Sequence, residues 1–520
     1  MKKQNSFVKA GATLALSGIA VKVLSAAYRI PLTRMLGAGV MGRYSAVLNL
    51  FMPFFSFATA GIVTVVAHFG AKYSSTQQIK KSALRLYLAI AFALSVLFLA
   101  FTKFYSQFQD EKLLAAGSII LAPAIMLAAA ESVFKGITQA KMNMLPTAQA
   151  NVLESVFKTV AGLSGVWLVK RFYNGPKDDA AIVVCLAVIT ASGAICTVFL
   201  WVKSRMKLSD ICPQKSGSVS PQNITSKQLL QMSLPIGVSA LIISASNFFD
   251  TAVCLPKIDA IPYTHIVQSF DGASFKGAGD MAMYLFGIWQ GMVLTVFNLV
   301  PTVISSVGTA GMPLISRTLV HNNKTAFKRY TQKLFLTTSV LSVPAMAFIF
   351  CFGSEIIQLL FGTNPAQTVV AQQLLRTLCF SGVFCCFNTA FNAVLYASGR
   401  SDTVFRILAS ACVAKAAASY ILCGFPGVNI KAFAVSAAIF YTIIFMCSIA
   451  AVRKQGVDFG FVKIFFIPTV TATVSVLYVN WLAKAQLYSL PLFLRLFFSG
   501  IIYVLIYLLI TVSTGFLVDK

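Results

Sequence analysis

Runs of about twenty apolar residues recur along almost the whole chain, and this constrains the fold more than any other feature. A hydrocarbon layer is crossed by ~20 residues of helix, because a helix bonds its own backbone groups where no water can. Fourteen such runs are legible, at roughly 8–28, 45–68, 84–104, 114–135, 150–170, 181–202, 232–254, 281–302, 334–352, 374–397, 404–423, 431–451, 462–482 and 491–515. Composition agrees: 58% of the 520 residues are hydrophobic and 11% charged, whereas a soluble domain carries about 25% charged residues. The expectation is an all-α polytopic membrane protein, not a soluble protein with a giant buried core.

The net charge of +27 does not point to nucleic acid, because the basic residues are spread through short connectors and form no dense basic domain. That distribution suits anionic lipid headgroups and the control of topology. An even number of spans puts both termini on one side. With the N-terminus in the cytoplasm, cytoplasmic flanks and connectors hold 25 of the 42 Lys+Arg, the opposite side 13 and the spans 4. The positive-inside rule therefore orients both termini toward the cytoplasm. "YRIPLTRMLGAGVMGRY", from Tyr28, breaks the trend: it follows the first span outward yet carries Arg29, Arg34 and Arg43.

Several chemistries are not indicated. Most of the eleven cysteines lie inside apolar runs without CxxC or Cys/His spacing, so they read as small hydrophobes and no metal site is expected. His68, His265 and His321 are separated in sequence and predicted side. No G-x-x-x-x-G-K-[ST] loop for ATP is present. The first span contains Lys22 and lacks a small-residue cleavage site, so it reads as a retained span and not as a signal peptide.

Two connectors are long. Residues 203–231 are polar and link the sixth and seventh spans on the cytoplasmic side, and 255–280 form an external loop. "SFATAG", ending at Gly61, echoes "SVGTAG", ending at Gly311, 250 residues later. Both copies fall in the second helix of a six-helix block. The expected organisation is an N-terminal lobe over 1–202, the linker 203–231, a C-terminal lobe over 232–451, and a final helix pair over 452–520. Parallel duplicated lobes around a central cavity suggest a secondary transporter.

The segments "GIAVKVLSAAYRIPLTRMLGAGVMGRYS", "FATAGIVTVVAHF", "FKGITQAKMNMLPTAQANVLE" and "TAGMPLISR" resemble the polysaccharide-biosynthesis/stage V sporulation protein B group. That group lies within the multidrug/oligosaccharidyl-lipid/polysaccharide exporter superfamily. The resemblance extends over essentially all fourteen spans and is strongest in the first five. It implies two six-helix lobes around a cavity and the export of a lipid-linked saccharide in bacterial envelope assembly. The neighbouring lipid II flippases carry "ARD" near the end of the first helix, where this chain has Ala27, Tyr28 and Arg29. The basic residue is offset by one and the acidic partner is missing, which puts a lipid II substrate in doubt.

Flipping breaks no covalent bond, so the expected activity is transport without catalysis. A phosphate-bearing headgroup calls for basic side chains, and intramembrane charge marks function by default. Arg29, Lys22, Arg376 and Lys415 are the candidate substrate-binding residues. Lys22 and Arg29, spaced i,i+7, share a helix face, and Pro31 is expected to end or bend the helix beside Arg29. Arg34 and Arg43 read as connector residues. Glu154 and Lys158 are spaced for an i,i+4 ion pair; with Asp250 they are the candidates for gating or ion coupling. Thr59, Gly61, Thr309 and Gly311 are candidates for close lobe packing. No cofactor is expected beyond a proton or sodium gradient or the membrane potential. The expected partners are a lipid-linked saccharide, anionic lipids and envelope-biosynthesis proteins, at a bacterial plasma membrane. A cation-coupled multidrug exporter on the same scaffold is the alternative. A lipid-linked-sugar polymerase using Asp259, His265, Asp271 and Asp280, and a membrane scaffold, are further readings.

Overall fold

The computed structural model describes residues 2–72, 76–105, 111–140, 143–205, 226–270, 280–320, 323–457, 459–487 and 489–513. Contacts divide the chain into two compact units, 1–36 with 43–251 and 37–42 with 252–520. Every regular element among the described residues is helical. Thirteen helical stretches there are long and apolar enough to cross a membrane. The 35-residue first helix occupies the remaining expected span. The protein is an all-α polytopic membrane protein.

The first unit contains α1 (Lys2–Leu36), α2 (Ala38–Thr59), α3 (Ile62–Lys72), α4 (Thr76–Tyr105), α5 (Glu111–Ala140), α6 (Leu145–Phe172), α7 (Lys177–Arg205) and α8 (Ser226–Phe249), with the first turn of α2 excepted. Within it α5 packs against α3, α4 and α7, while α6 lies between α1 and α7. The contact boundary thus falls at Thr251, beyond the polar connector, because α8 packs on α3 and α4. Tyr87 donates to the carbonyl of Leu229 (3.3 Å) and Ser56 bonds Ser244 (2.7 Å). Residues 206–225 of the 203–231 connector lie outside the described residues.

The second unit contains α9 (Leu255–Asp259), α10 (Tyr263–Ser269), α11 (Met281–Gly287), α12 (Leu294–Val320), α13 (Lys324–Phe361), α14 (Pro365–Ala397), α15 (Ser401–Leu422), α16 (Lys431–Arg453), α17 (Ile467–Ala485) and α18 (Leu492–Ser513). α14 packs against α12, α13 and α16. The middle of this unit is aromatic: Phe335, Phe387, Phe391, Phe445 and Phe459 are buried together, with Phe335 and Phe391 centroids 4.9 Å apart. Offset and edge-on ring pairs fill this space without leaving a polar group to satisfy.

Two expectations about "YRIPLTRMLGAGVMGRY" are corrected. α1 does not end at Arg29: it runs through Pro31 to Leu36. Membrane helices tolerate an interior proline, although Pro31 leaves the Ala27 carbonyl without its i+4 amide donor. The presumed connector shrinks to Gly37, whose φ of +79° interrupts the helix between α1 and α2, a conformation a side chain would strain. Five residues later the backbone of α2 meets α11 directly. A Cβ on Gly42 would lie 2.0 Å from the Met283 carbonyl oxygen, and one on Gly287 1.7 Å from that of Ala38.

The helices also outrun their apolar windows, most clearly α13, which covers Lys324–Phe361 against an expected 334–352. Backbone bonding continues where the side chains turn polar. The 255–280 connector is partly helical over its described residues, in α9 and α10. Asn429, at φ +37°, donates to the Ser269 hydroxyl (2.6 Å), and Lys431 donates to the Ser269 carbonyl (2.7 Å). Asp280 caps α11 through the Met283 amide (2.9 Å). A carboxylate committed to a helix cap does not serve as the catalytic acid of the polymerase reading. Asp271 lies outside the described residues.

Candidate functional site

The pentapeptide ESVFK occurs twice, at 131–135 on α5 and at 154–158 on α6. Each copy spaces a glutamate four residues ahead of a lysine, the orientation that favours an intrahelical pair. In α5 the Lys135 Nζ lies 2.6 Å from the Glu131 carboxylate. In α6 the expected Glu154–Lys158 pair is present at 3.9 Å. Sequence reasoning missed the first pair because Lys135 sits at the end of an apolar window and reads as a cytoplasmic flank; α5 continues to Ala140 and places it inside the helix. The exact repetition of five residues was the signal that would have found it.

The two copies converge with α7. Carboxylate oxygens of Glu131 and Glu154 and the Cys196 sulfur lie within 4.8 Å of one another. The Cys196 thiol donates to the Ala150 carbonyl (3.2 Å), and Ala150, fully buried, leaves room for Phe134 beside α6. The donor types are those of a metal site, but here each carboxylate already has an ammonium partner and the sulfur is held as a thiol. The arrangement is a doubly ion-paired cluster of two acids and two bases inside one helical unit.

A cavity of about 170 Å³ opens between α1 and α6 beside this cluster. Val21, Ser25 and Tyr28 line it from α1, and Asn151, Glu154, Ser155, Lys158 and Thr159 from α6. Gly162 sets the crossing of the two helices. A Cβ there would lie 2.7 Å from Tyr28 Cε2, so only glycine lets that ring rest on α6.

The other candidates are placed as follows. Lys22 and Arg29 are half-buried on α1, on the stripe next to Val21, Ser25 and Tyr28. Arg43 pairs with Asp179 (2.8 Å) and Lys170 lies 4.0 Å from Asp178, which ties α2 and the end of α6 to the start of α7. Asp250 is buried and opens a π-helical segment over Asp250–Cys254. In the second unit Arg376 is exposed, 5.8 Å from the Phe350 ring, and Lys415 is buried on α15. Thr59 donates to the Phe55 carbonyl (2.8 Å). Gly61, at φ +80°, packs on α8, where a Cβ would lie 3.0 Å from that of Ile236. Gly311 packs against Leu334. The Thr309 side chain and the neighbouring 312–314 side chains lie outside the described residues.

Comparison with known proteins agrees with these features. The family described as "Polysaccharide biosynthesis protein" matches residues 7–319 and the family MatE matches 290–421. Stage V sporulation protein B of Bacillus subtilis (strain 168) is 24% identical over 378 residues, 71% of this chain and 69% of that protein. Lipid II flippase MurJ of the same organism is 22% identical over 375 residues, 66% of this chain and 65% of its own length. A structure of lipid II flippase MurJ in an inward closed conformation superposes with a TM-score of 0.70 at 13% identity, covering 99% of each chain. An inward-facing multidrug resistance MATE family transporter gives 0.61 at 14% identity, covering 84% of this chain and 94% of that one. A match across three-fifths of the chain, with the helical fold throughout, shows that the protein belongs to the polysaccharide biosynthesis protein family of the multidrug/oligosaccharidyl-lipid/polysaccharide exporter superfamily.

Proposed function

We propose that the protein is an alternating-access flippase that carries a lipid-linked oligosaccharide or peptidoglycan precursor from the cytoplasmic to the outer face of a bacterial plasma membrane. The observation that carries this reading is the polar cavity between α1 and α6, with the Glu154–Lys158 pair in its lining, in a polysaccharide-family chain. Keeping charged side chains among membrane helices is costly, and the Glu154–Lys158 pair, unlike the closed Glu131–Lys135 pair, faces a cavity. Transport without covalent chemistry fits the likeness to the transporters MurJ and MATE. Arg29 and Lys22 hold phosphate oxygens of the headgroup in this reading, as charge-assisted donors. Arg376 and Lys415 serve the same purpose in the second lobe. Glu154, Lys158 and Asp250 link the cycle to a proton, a sodium ion or the membrane potential. Thr59, Gly61, Thr309 and Gly311 let helices pack closely during it. Both termini face the cytoplasm on this proposal, and the lobes divide by connectivity at the 203–231 linker.

The test is reconstitution in vesicles with defined lipid-linked saccharides. Translocation by the native protein and its reduction by Arg29→Gln, with Arg43→Gln retaining transport at matched folding, is the expected outcome. Equal, undiminished transport in both variants overturns the role of Arg29. No translocation of several envelope precursors, together with drug efflux, replaces the flippase by a cation-coupled multidrug exporter. The match of residues 290–421 to MatE favours that second reading.

A further inference from the structure

The cavity between α1 and α6 differs from a phosphate site in the hydrogen bonds it has left to offer. Each of its three aliphatic hydroxyls donates to a carbonyl of its own helix: Ser25 to Val21 (2.8 Å), Ser155 to Asn151 (3.0 Å) and Thr159 to Ser155 (2.7 Å). A hydroxyl has one proton and two lone pairs, so these three present acceptors toward the cavity. The Glu154 carboxylate and the Asn151 amide oxygen add more. Donors are fewer, the Asn151 amide nitrogen, the Tyr28 phenol and Lys158, and Lys158 sits 3.9 Å from Glu154, which leaves the lining with no net charge. A phosphate group, which brings only acceptors and negative charge, is poorly matched here. A ligand rich in hydroxyl donors is well matched.

We propose that this cavity is a sugar subsite: it binds one polyol ring of the transported headgroup through hydroxyl-to-acceptor bonds and reads the saccharide separately from the phosphate. The inference rests on the flippase reading and adds a division of labour within α1. The stripe of Ser25 and Tyr28 faces the sugar, and the stripe of Lys22 and Arg29 serves the phosphate. The 3.9 Å Glu154–Lys158 separation is long for a charge-assisted bond. A ring hydroxyl can therefore bridge the two groups, donating to the carboxylate and accepting from the ammonium. The cavity volume of about 170 Å³ corresponds to about six waters at ~30 Å³ each, so a single ring-sized polar group is the natural occupant and a whole headgroup is not. Gly162 keeps the Tyr28 ring against α6 as one wall.

The experiment measures binding of two probes to the full chain in lipid nanodiscs: a polyprenyl diphosphate bearing one hexose, and the same lipid without the sugar. The native protein should bind the sugar-bearing lipid about ten-fold or more tightly, the effect of two or more satisfied hydrogen bonds. The Ser155→Ala/Thr159→Val double variant should bring that ratio close to one while leaving the affinity for the bare lipid unchanged. Ser25→Leu, which fills the cavity from the opposite helix, should do the same and guards against a folding artefact in α6. A native ratio near one, a full ratio in both variants, native binding of neither lipid, or loss of bare-lipid binding in the variants overturns the sugar subsite. The flippase reading is judged apart, by vesicle translocation. Translocation with a binding ratio near one removes the subsite alone, and a high ratio without translocation removes the transport reading alone.

Discussion

The two ESVFK segments are identical in sequence and opposite in circumstance. On α5 the glutamate side chain is 8% exposed, against 31% for its counterpart on α6. Val133 is fully buried and Val156 is 41% exposed. Phe134 is buried with the Lys80 ammonium 5.0 Å from its ring, and Phe157 is half-buried. Both serines back-bond alike, Ser132 to Ala128 and Ser155 to Asn151, because that bond is set by the helix alone. What differs is everything set by neighbours. α5 is surrounded by α3, α4 and α7, whereas α6 has α1 and α7 beside it and turns Leu153, Val156 and Val160 outward. The inner pair is therefore closed and structural, and the outer pair is open toward a cavity. One local code gives a brace in one place and an adjustable contact in the other.

The largest effect should come from breaking the brace. Glu131→Gln or Lys135→Met leaves a buried charge without its partner, which costs about 3–5 kcal/mol. Thermal unfolding in detergent should show a large drop in midpoint, and a shift no greater than that of Glu154→Gln would erase the distinction between the copies. Exchanging the partners, Glu131→Lys with Lys135→Glu, should recover part of this loss, since the pair is restored in the less favourable i,i+4 order. A double variant as unstable as either single change would mean that Glu131 is held mainly by the rest of the cluster. On the outer pair, Glu154→Gln or Lys158→Met should lower stability by only about 0–1 kcal/mol. The same changes should reduce translocation of a lipid-linked saccharide, so the functional loss outweighs the structural one. An outer-pair variant that unfolds while retaining full transport per folded molecule would reverse the two roles. The smallest effect is expected from Cys196→Ser. It keeps a donor to the Ala150 carbonyl, and unfolding and transport should both stay within error of the native protein.

Much of the fold was legible because the bilayer makes the apolar run itself the structural unit. All fourteen expected spans fall on helices, including the first one, whose interruption by Lys22 did not prevent helix formation. The Glu154–Lys158 pair was also legible, since i,i+4 geometry belongs to a single helix. Of the two outcomes expected at Pro31, an end or a bend, the end is overturned, because unbonded backbone in a long membrane helix has no water to turn to. Lys135 misled because hydropathy marks the end of an apolar window and not the end of a helix. The close backbone approach of Gly42 to Met283 spans 241 positions in the chain, and no local pattern announces its partner.

The sequence by itself determined the helical, polytopic class and the acid-then-base spacing, since each follows from hydropathy and from the 3.6-residue turn. Only the tertiary structure decided which ESVFK is buried, that both meet Cys196, and that three aliphatic hydroxyls with spent protons line one cavity with Tyr28, Glu154 and Lys158. The reason is physical. A helix specifies its own faces, but burial, ion-pair closure and unused lone pairs are properties of what packs against each face, and those neighbours come from distant parts of the chain.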